Sequence, residues 1–316
     1  MSSNNEMKRR MKSVADLRQM TRAMQLISQI KRSTAAKKLE ASKYFFVHTM
    51  RTVNEIMIQN PNSFDNIFKL RKKNDGDKWN ILIYLISAES GMAGAYMLKV
   101  LRRGEELARQ LEIKVRAKGY EPNVRFRVLG RPLSYKLKED GFVSEGDYKP
   151  ERSDPDYYGS QLLSIQLMNE YMDGQYDEIY FVYMHMNNSI QSEPLYIRTL
   201  PADSQGLFLL TRKMLSKEEM EEEERLIQEL EHRHLSYQPD IESVSKYLMS
   251  SYSTAMVFGI LNEAHAAEHA WRMQAMESAT KNADDLLFDL KELMNQQRQE
   301  EITEELNEII SATLDV

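Results

Sequence analysis

Residues Asn262 to Leu314 read NEAHAAEHAWRMQAMESATKNADDLLFDLKELMNQQRQEEITEELNEIISATL, with no glycine and no proline. Met276, Ala279, Ala283, Leu286, Leu290 and Leu293 recur at steps of three and four, which keeps side chains on one face of a helix. The pattern lapses after Gln297 and resumes at Ile302, Leu306 and Ile309. A lapse of this kind reads as a stutter in a coiled coil. The seam begins with small residues and widens to leucines, so whatever packs against it comes closer at one end than at the other.

Glycine and proline set the domain limits. All 20 lie between Pro61 and Gly259, so both ends of the chain lack the strong helix breakers. At the other end, Met7, Met11, Val14, Leu17, Met20, Met24, Ile27 and Ile30 also step by three and four. Sixty helical residues extend ~90 Å at 1.5 Å per residue, too long for one globular core. The two ends are therefore expected to pair as an antiparallel, left-handed coiled coil over residues 7–55 and 245–314. The methionine-rich stripe reads as packing for that pair.

Between the ends the pattern changes. Asn80 to Ile86 is a continuous apolar run, as in a strand buried on both faces. Val124–Leu129, Glu178–Tyr183, Pro194–Leu200 and Leu207–Leu210 read as further strands, and Tyr96–Leu111 and Asp156–Met172 as helices. The alternation predicts a small α/β domain whose sheet of about five strands is largely parallel, its last strands antiparallel around a hairpin at Asn187–Glu193. The expected layout is a shaft helix over 1–60, a Rossmann-like α/β domain over 61–215, an acidic insert and linker over 216–239, and a second shaft helix over 240–316. The insert holds eight acids in Lys217–His232 and reads as a solvated segment.

The composition is that of a folded, soluble chain: 316 residues, 42% hydrophobic and 28% charged. There is no cysteine, hence no disulfide framework and no thiolate metal site. No run approaches the ~18–20 apolar residues of a membrane span, and no secretion signal is read at the N-terminus. The net charge of −6 is uneven, since residues 8–43 carry eleven Lys/Arg against two acids. Residues 1–43 contain no aromatic side chain on which a base could stack. This basic arm is therefore expected to meet an acidic protein surface, not nucleic acid.

Two local motifs suggest chemistry and are outweighed. His265-Ala266-Ala267-Glu268-His269 matches H-x-x-E-H, a zinc-peptidase signature. It lies in a shaft-like helix, where no further ligand or pocket wall is expected. Ser90-Gly91-Met92-Ala93-Gly94 follows a strand and opens a helix, but it is neither G-x-G-x-x-G nor a P-loop. It reads as a tight turn. No catalytic constellation, cofactor site or metal site is read from spacing.

The terminal residues also resemble a family. Glu268-His269-Ala270, Arg272-Met273, Ala275-Met276, Ala279-Thr280-Lys281-Asn282-Ala283 and the run Arg298 to Leu306 stand in the order and spacing of the last helix of the gamma subunit of F-type ATP synthase. Arg9 to Val14 and Gln19 to Leu26 resemble that family's first helix, and Tyr237 to Asp240 its entry to the last. The chain departs from it at Ala88-Glu89-Ser90-Gly91, where gamma subunits usually carry a more glycine-rich turn with an Asp-Arg-Gly beginning.

The resemblance implies a rotor shaft, the central stalk of a rotary motor. It would stand inside a ring of three alpha and three beta subunits, with its α/β domain on the epsilon subunit and the membrane rotor c-ring. It implies a non-catalytic subunit without a cofactor, which couples ion flow to ATP synthesis or ATP hydrolysis to rotation. The place implied is the cytoplasmic face of the bacterial inner membrane, peripheral and not inserted. Arg298, Gln299 and Thr303 on the last helix match the positions that meet a beta-subunit loop, and Arg9, Arg10, Met24 and Lys31 are the corresponding candidates on the first. Competing readings are a gamma-like shaft in a rotary ATPase that does not make ATP, a non-motor coiled-coil adaptor, and, for the site, polar residues that are merely solvated.

Overall fold

A computed structural model describes residues 2–60, 63–64, 70–71, 73–139, 144–148, 154–187, 191–202, 218, 220–221, 225 and 236–314. In chain order the elements are α1 (Ser2–Gln59), β1 (Lys78–Ile86), α2 (Tyr96–Ala117), β2 (Glu121–Leu129), α3 (Arg131–Glu139), β3 (Ser144–Tyr148), α4 (Tyr157–Met172), β4 (Glu178–Met186), β5 (Ser192–Leu200) and α5 (Ile241–Leu314). The fold is mixed α/β with a long helix at each end, as expected. Nearly all of the acidic insert and the strand expected at Leu207–Leu210 lie outside the described residues. The chain divides into two compact units, residues 1–30 with 271–316, and residues 31–270.

In the first unit α1 and α5 run antiparallel. Thr21 meets Thr280 at 2.8 Å between hydroxyls, and the Arg18 guanidinium pairs with Asp284. Each hydroxyl also reaches a carbonyl of its own helix, Thr21 to Arg18 and Thr280 to Met276. A hydroxyl has one proton, so one threonine keeps its helix carbonyl while the other donates across the seam.

The register of the seam differs from the expectation. On α1 the covered positions are Met7, Met11, Val14, Arg18, Thr21, Gln25 and Ser28; on α5 they include Met276, Thr280, Ala283, Leu287, Leu290, Met294 and Gln297. Both sets alternate four and three without a break, the spacing of a left-handed coiled coil. Leu286 and Leu293 stand exposed beside it, and so do Leu17, Met20, Ile27 and Ile30, which were expected to pack. α1 therefore has an inner face that is apolar at Met7, Met11 and Val14 and polar from Arg18 to Ser28, and an outer stripe that is apolar. Ile302 and Leu306 are exposed too, so neither carries the covered stripe past Gln297. The register fixed by Thr21 and Thr280 places Gln297 opposite the first turn of α1. The covered stripe stops because its partner helix ends, and no stutter is needed.

Adjacent leucines test this register. Leu287→Ala is expected to cost about 1 kcal/mol, as for a half-buried apolar side chain, while Leu286→Ala stays within about 0.5 kcal/mol. Urea unfolding of the two variants, read by the fluorescence of Trp271, would place the seam on the other leucine if the order were reversed.

In the second unit the strand order is β3-β2-β1-β4-β5. The first four strands are parallel, and β5 returns antiparallel on β4, as expected. Central β1 is buried on both faces, which explains its unbroken apolar run. One face, with Leu82, Tyr84, Ile86, Ile179, Phe181 and Tyr183, shares a core with α4, with Phe46, Val53 and Ile56 of α1, and with Met249, Tyr252, Met256 and Ile260 of α5. The other face meets α2, where the backbone comes so close that a Cβ on Gly104 would lie 2.6 Å from Leu85 Cδ2. The four-three spacing of covered positions on α1 continues through Ala35, Leu39, Ser42, Phe46, Thr49, Val53 and Ile56. Here the stripe is apolar at its end because it belongs to the sheet's core.

Two elements were not expected, α3 and β3. Strand β3, Ser-Glu-Gly-Asp-Tyr, lies at the sheet edge. An edge strand is held by backbone bonds on one side and needs no apolar run. The Ser90–Gly94 stretch is the strand-to-helix turn that was expected, with Met92 and Gly94 both at positive φ.

Candidate functional site

The sequence points to two places where a site could lie: the helices of the first unit, and the edge of the sheet at the C-terminal ends of its parallel strands. In open α/β sheets, ligands bind at that edge, where strand order reverses. Here it is occupied from within. The Tyr96 hydroxyl donates to the Ala264 carbonyl of α5 at 3.1 Å. The Glu263 carboxylate accepts from the Met186 backbone N–H and the Tyr183 hydroxyl, and lies 2.6 Å from His185 Nδ1. Burial, then the charge and hydrogen bond of Glu263, push the Tyr183 phenol well up, so it stays a neutral donor.

The histidines of the H-x-x-E-H stretch do not converge on a common ligand position. His265 and His269 meet edge to face with ring centroids 4.4 Å apart, and His265 Nε2 lies 3.4 Å from Asp154 Oδ1. Asp154 also accepts from Lys31 at 3.1 Å. Burial alone would raise the Asp154 carboxyl, but Lys31, His265 and Lys38 hold it below its ordinary value. Among the described residues no group of three His, Asp or Glu could hold a metal ion.

The candidate partner residues fall as follows. Arg298, Gln299 and Thr303 are exposed, and Thr303 Oγ1 donates to the Gln299 carbonyl one turn back at 2.8 Å. Arg298 and Gln299 lie just beyond Gln297, level with the first turn of α1, and Thr303 lies past it. Arg9 and Arg10 are exposed near the same end of the first unit, and Arg10 pairs with Glu6 at 2.9 Å. Met24 is half-buried beside the seam. Lys31 belongs to the second unit, where Asp154 engages it. The structure thus brings Arg9, Arg10, Arg298, Gln299 and Thr303 to one end of one unit, and leaves Lys31 out of that group.

Two features of this surface escaped the sequence reading. The basic arm already meets acids of its own chain: residues 271–316 carry eleven acids against four Lys/Arg, and Arg18 reaches Asp284. The apolar outer face, with Met20 59% and Ile30 67% exposed, is the second. Its signal was an apolar stripe wider than one seam needs. Among the described residues no helix is long and apolar enough to cross a membrane.

These features define a class: a unit of two antiparallel helices with exposed apolar and charged flanks, and an α/β unit whose ligand edge is filled by its own helix. The family model for ATP synthase matches residues 3–314. The chain is 30% identical to an ATP synthase gamma chain of Lachnoclostridium phytofermentans and 31% to one of Acetivibrio thermocellus, each time over 98% of both chains. Its fold is similar to a chain in the central stalk and c-ring structure of the Tetrahymena thermophila mitochondrial ATP synthase, with TM-score 0.55, 20% identity, and 82% of this chain and 99% of that one covered. The chain belongs to the gamma-subunit family of F-type ATP synthases.

Proposed function

We propose that this chain is the rotor shaft of a rotary ATP synthase. The observation that carries the proposal is the outer surface of the first unit: side chains that the seam leaves uncovered, apolar along α1 and charged at the far end of α5, in a chain of the gamma-subunit family. A shaft needs such a surface to bear on a surrounding ring of alpha and beta subunits. Its α/β unit would rest on the epsilon subunit and the c-ring. Ion flow through that ring turns the shaft, and the shaft forces the catalytic subunits through their binding states; ATP hydrolysis runs the same cycle backwards. The nucleotide chemistry belongs to the ring. This chain acts as a non-catalytic subunit that supplies asymmetry and torque from the cytoplasmic face of a bacterial membrane.

Within this reading Arg298, Gln299 and Thr303 carry contacts to a beta-subunit loop. An arginine can hold a carboxylate through two parallel hydrogen bonds, and a neighbouring amide can complete the set. The test is Arg298→Ala with Gln299→Ala in the assembled complex. Folding and assembly are expected to be normal. ATP turnover is expected to fall, because charge-assisted bonds of ~1.5–3 kcal/mol are missing at one stage of each rotation. Unchanged synthesis and hydrolysis would remove these residues from the ring contact. Failure of alpha and beta to co-purify with the chain, at three of each per shaft, would remove the shaft reading itself.

A further inference from the structure

The Glu263 contact at the sheet edge contains a group that can change charge near neutral pH. His185 is the penultimate residue of β4, and its side chain is 35% exposed, so it exchanges protons with solvent. Its partner Glu263 is 16% exposed and is largely withdrawn from water. Across the antiparallel pair, His185 is in register with Glu193 of β5, which places a second carboxylate on the same face of the sheet. His185 thus faces two acids from two different elements. Two tyrosines at this joint are committed. The Tyr183 hydroxyl donates to Glu263, and the Tyr96 hydroxyl of α2 donates to the Ala264 carbonyl.

The neighbouring histidine contact makes the contrast. His265 meets Asp154, but Asp154 already has Lys31 as a hydrogen-bonded cation and Lys38 nearby. A proton on His265 adds a third positive charge around one carboxylate. A proton on His185 adds a positive charge beside Glu263 and Glu193.

We propose that His185 and Glu263 form a proton-operated clasp that fastens α5 to the end of β4, tight when His185 is protonated and looser when it is neutral. With Nδ1 2.6 Å from a Glu263 oxygen, the protonated ring attracts that carboxylate and, across the strand pair, Glu193; the neutral ring loses both attractions. This contribution is present while the imidazole carries its proton and is lost as pH rises and the proton leaves. Glu263 keeps the Met186 and Tyr183 bonds throughout, so the joint loosens without coming apart. The proposal goes beyond the shaft reading and does not depend on it, because every group in it belongs to the second unit of this chain.

Hydrogen exchange on the full-length chain tests it. After correction for intrinsic rates, the amides of Met184 to Met186 and of residues 262–266 are expected to exchange several-fold more slowly at pH 6 than at pH 8, while those of β1 stay unchanged. In His185→Gln, which keeps a donor but cannot take up a proton, the slow exchange at pH 6 is expected to be lost and the rates to match the wild-type values at pH 8. Glu193→Gln, an exposed position that leaves the core alone, is expected to reduce the pH response without abolishing it. A wild-type chain with no response at these amides, or a His185→Gln chain with the wild-type response, would overturn the clasp. Should His185→Gln not fold, an undiminished response in Glu193→Gln would overturn the two-carboxylate arrangement on which the clasp stands.

Discussion

Phe181→Ala is expected to destabilise the α/β unit by ~3–5 kcal/mol, as large-to-small changes of a buried aromatic ring do. Phe181 sits in the middle of β4, fully buried, and its ring stacks on Tyr84 of β1 with centroids 5.0 Å apart and planes 21° from parallel. That pair stands in the core that α1, α4 and α5 share with the sheet. Truncation leaves a cavity among elements that cannot all collapse into it, and also removes an aromatic contact worth ~0.5–1.5 kcal/mol. A domain has only ~5–15 kcal/mol of net stability, so this single change consumes a large part of it. The chain has two tryptophans, and buried Trp79 in β1 reports on this unit while Trp271 lies in the other. In a Trp271→Phe background, Trp79 fluorescence should show a lowered urea midpoint with an unchanged slope. A loss below ~1 kcal/mol would mean that the shared core repacks around the gap, and that α1 and α5 are not fixed to the sheet there.

Leu290→Pro is expected to act on the other unit. Leu290 is a covered seam position well inside α5. Proline removes the backbone hydrogen bond to the residue four back and its ring clashes with that carbonyl, at a cost of ~3 kcal/mol or more. The seam around it is apolar but only half-covered, Met7, Met11 and Val14 of α1 against Leu287 and Met294 of α5, with no fully buried side chain to absorb a kink. Exchange protection is expected to fall from Ala283 to Gln297 and, across the seam, over the first four turns of α1. Trp79 fluorescence and the urea midpoint of the α/β unit should not move. In an assembled complex the kinked shaft should hydrolyse ATP without coupling it to ion flow. Exchange changes confined to residues 286–291 would show that each helix stands alone, and would remove the paired shaft as a cooperative element.

The candidate site was legible in part. The run Arg298 to Thr303 could be marked because its residue types and spacing carry the family resemblance, and the fold leaves Arg298, Gln299 and Thr303 exposed. Lys31 looked equivalent in sequence, because a lysine on a helix carries no sign of who pairs with it. Only the fold brings Asp154 to it from more than a hundred residues away. The same limit hid the His185–Glu263 joint, whose members belong to separate elements with no shared motif.

The sequence by itself determined the existence and type of the long elements. Breaker-free ends had to become helices, a continuous apolar run at 80–86 had to be a central strand, and alternation of strands with helices had to give a mostly parallel sheet. Local chemistry settles these, through backbone sterics and the period of burial. Tertiary structure alone decided which face of each helix meets what. On α1 the apolar stripe Leu17, Met20, Ile27 and Ile30 had the better claim to the seam by hydropathy, yet Arg18, Thr21, Gln25 and Ser28 took it. A polar seam satisfied by cross-helix bonds cannot be ranked from one strand of sequence, since its stability lies in the partner's side chains. It is the antiparallel register set by Thr21 with Thr280 and Arg18 with Asp284 that turned the apolar face outward.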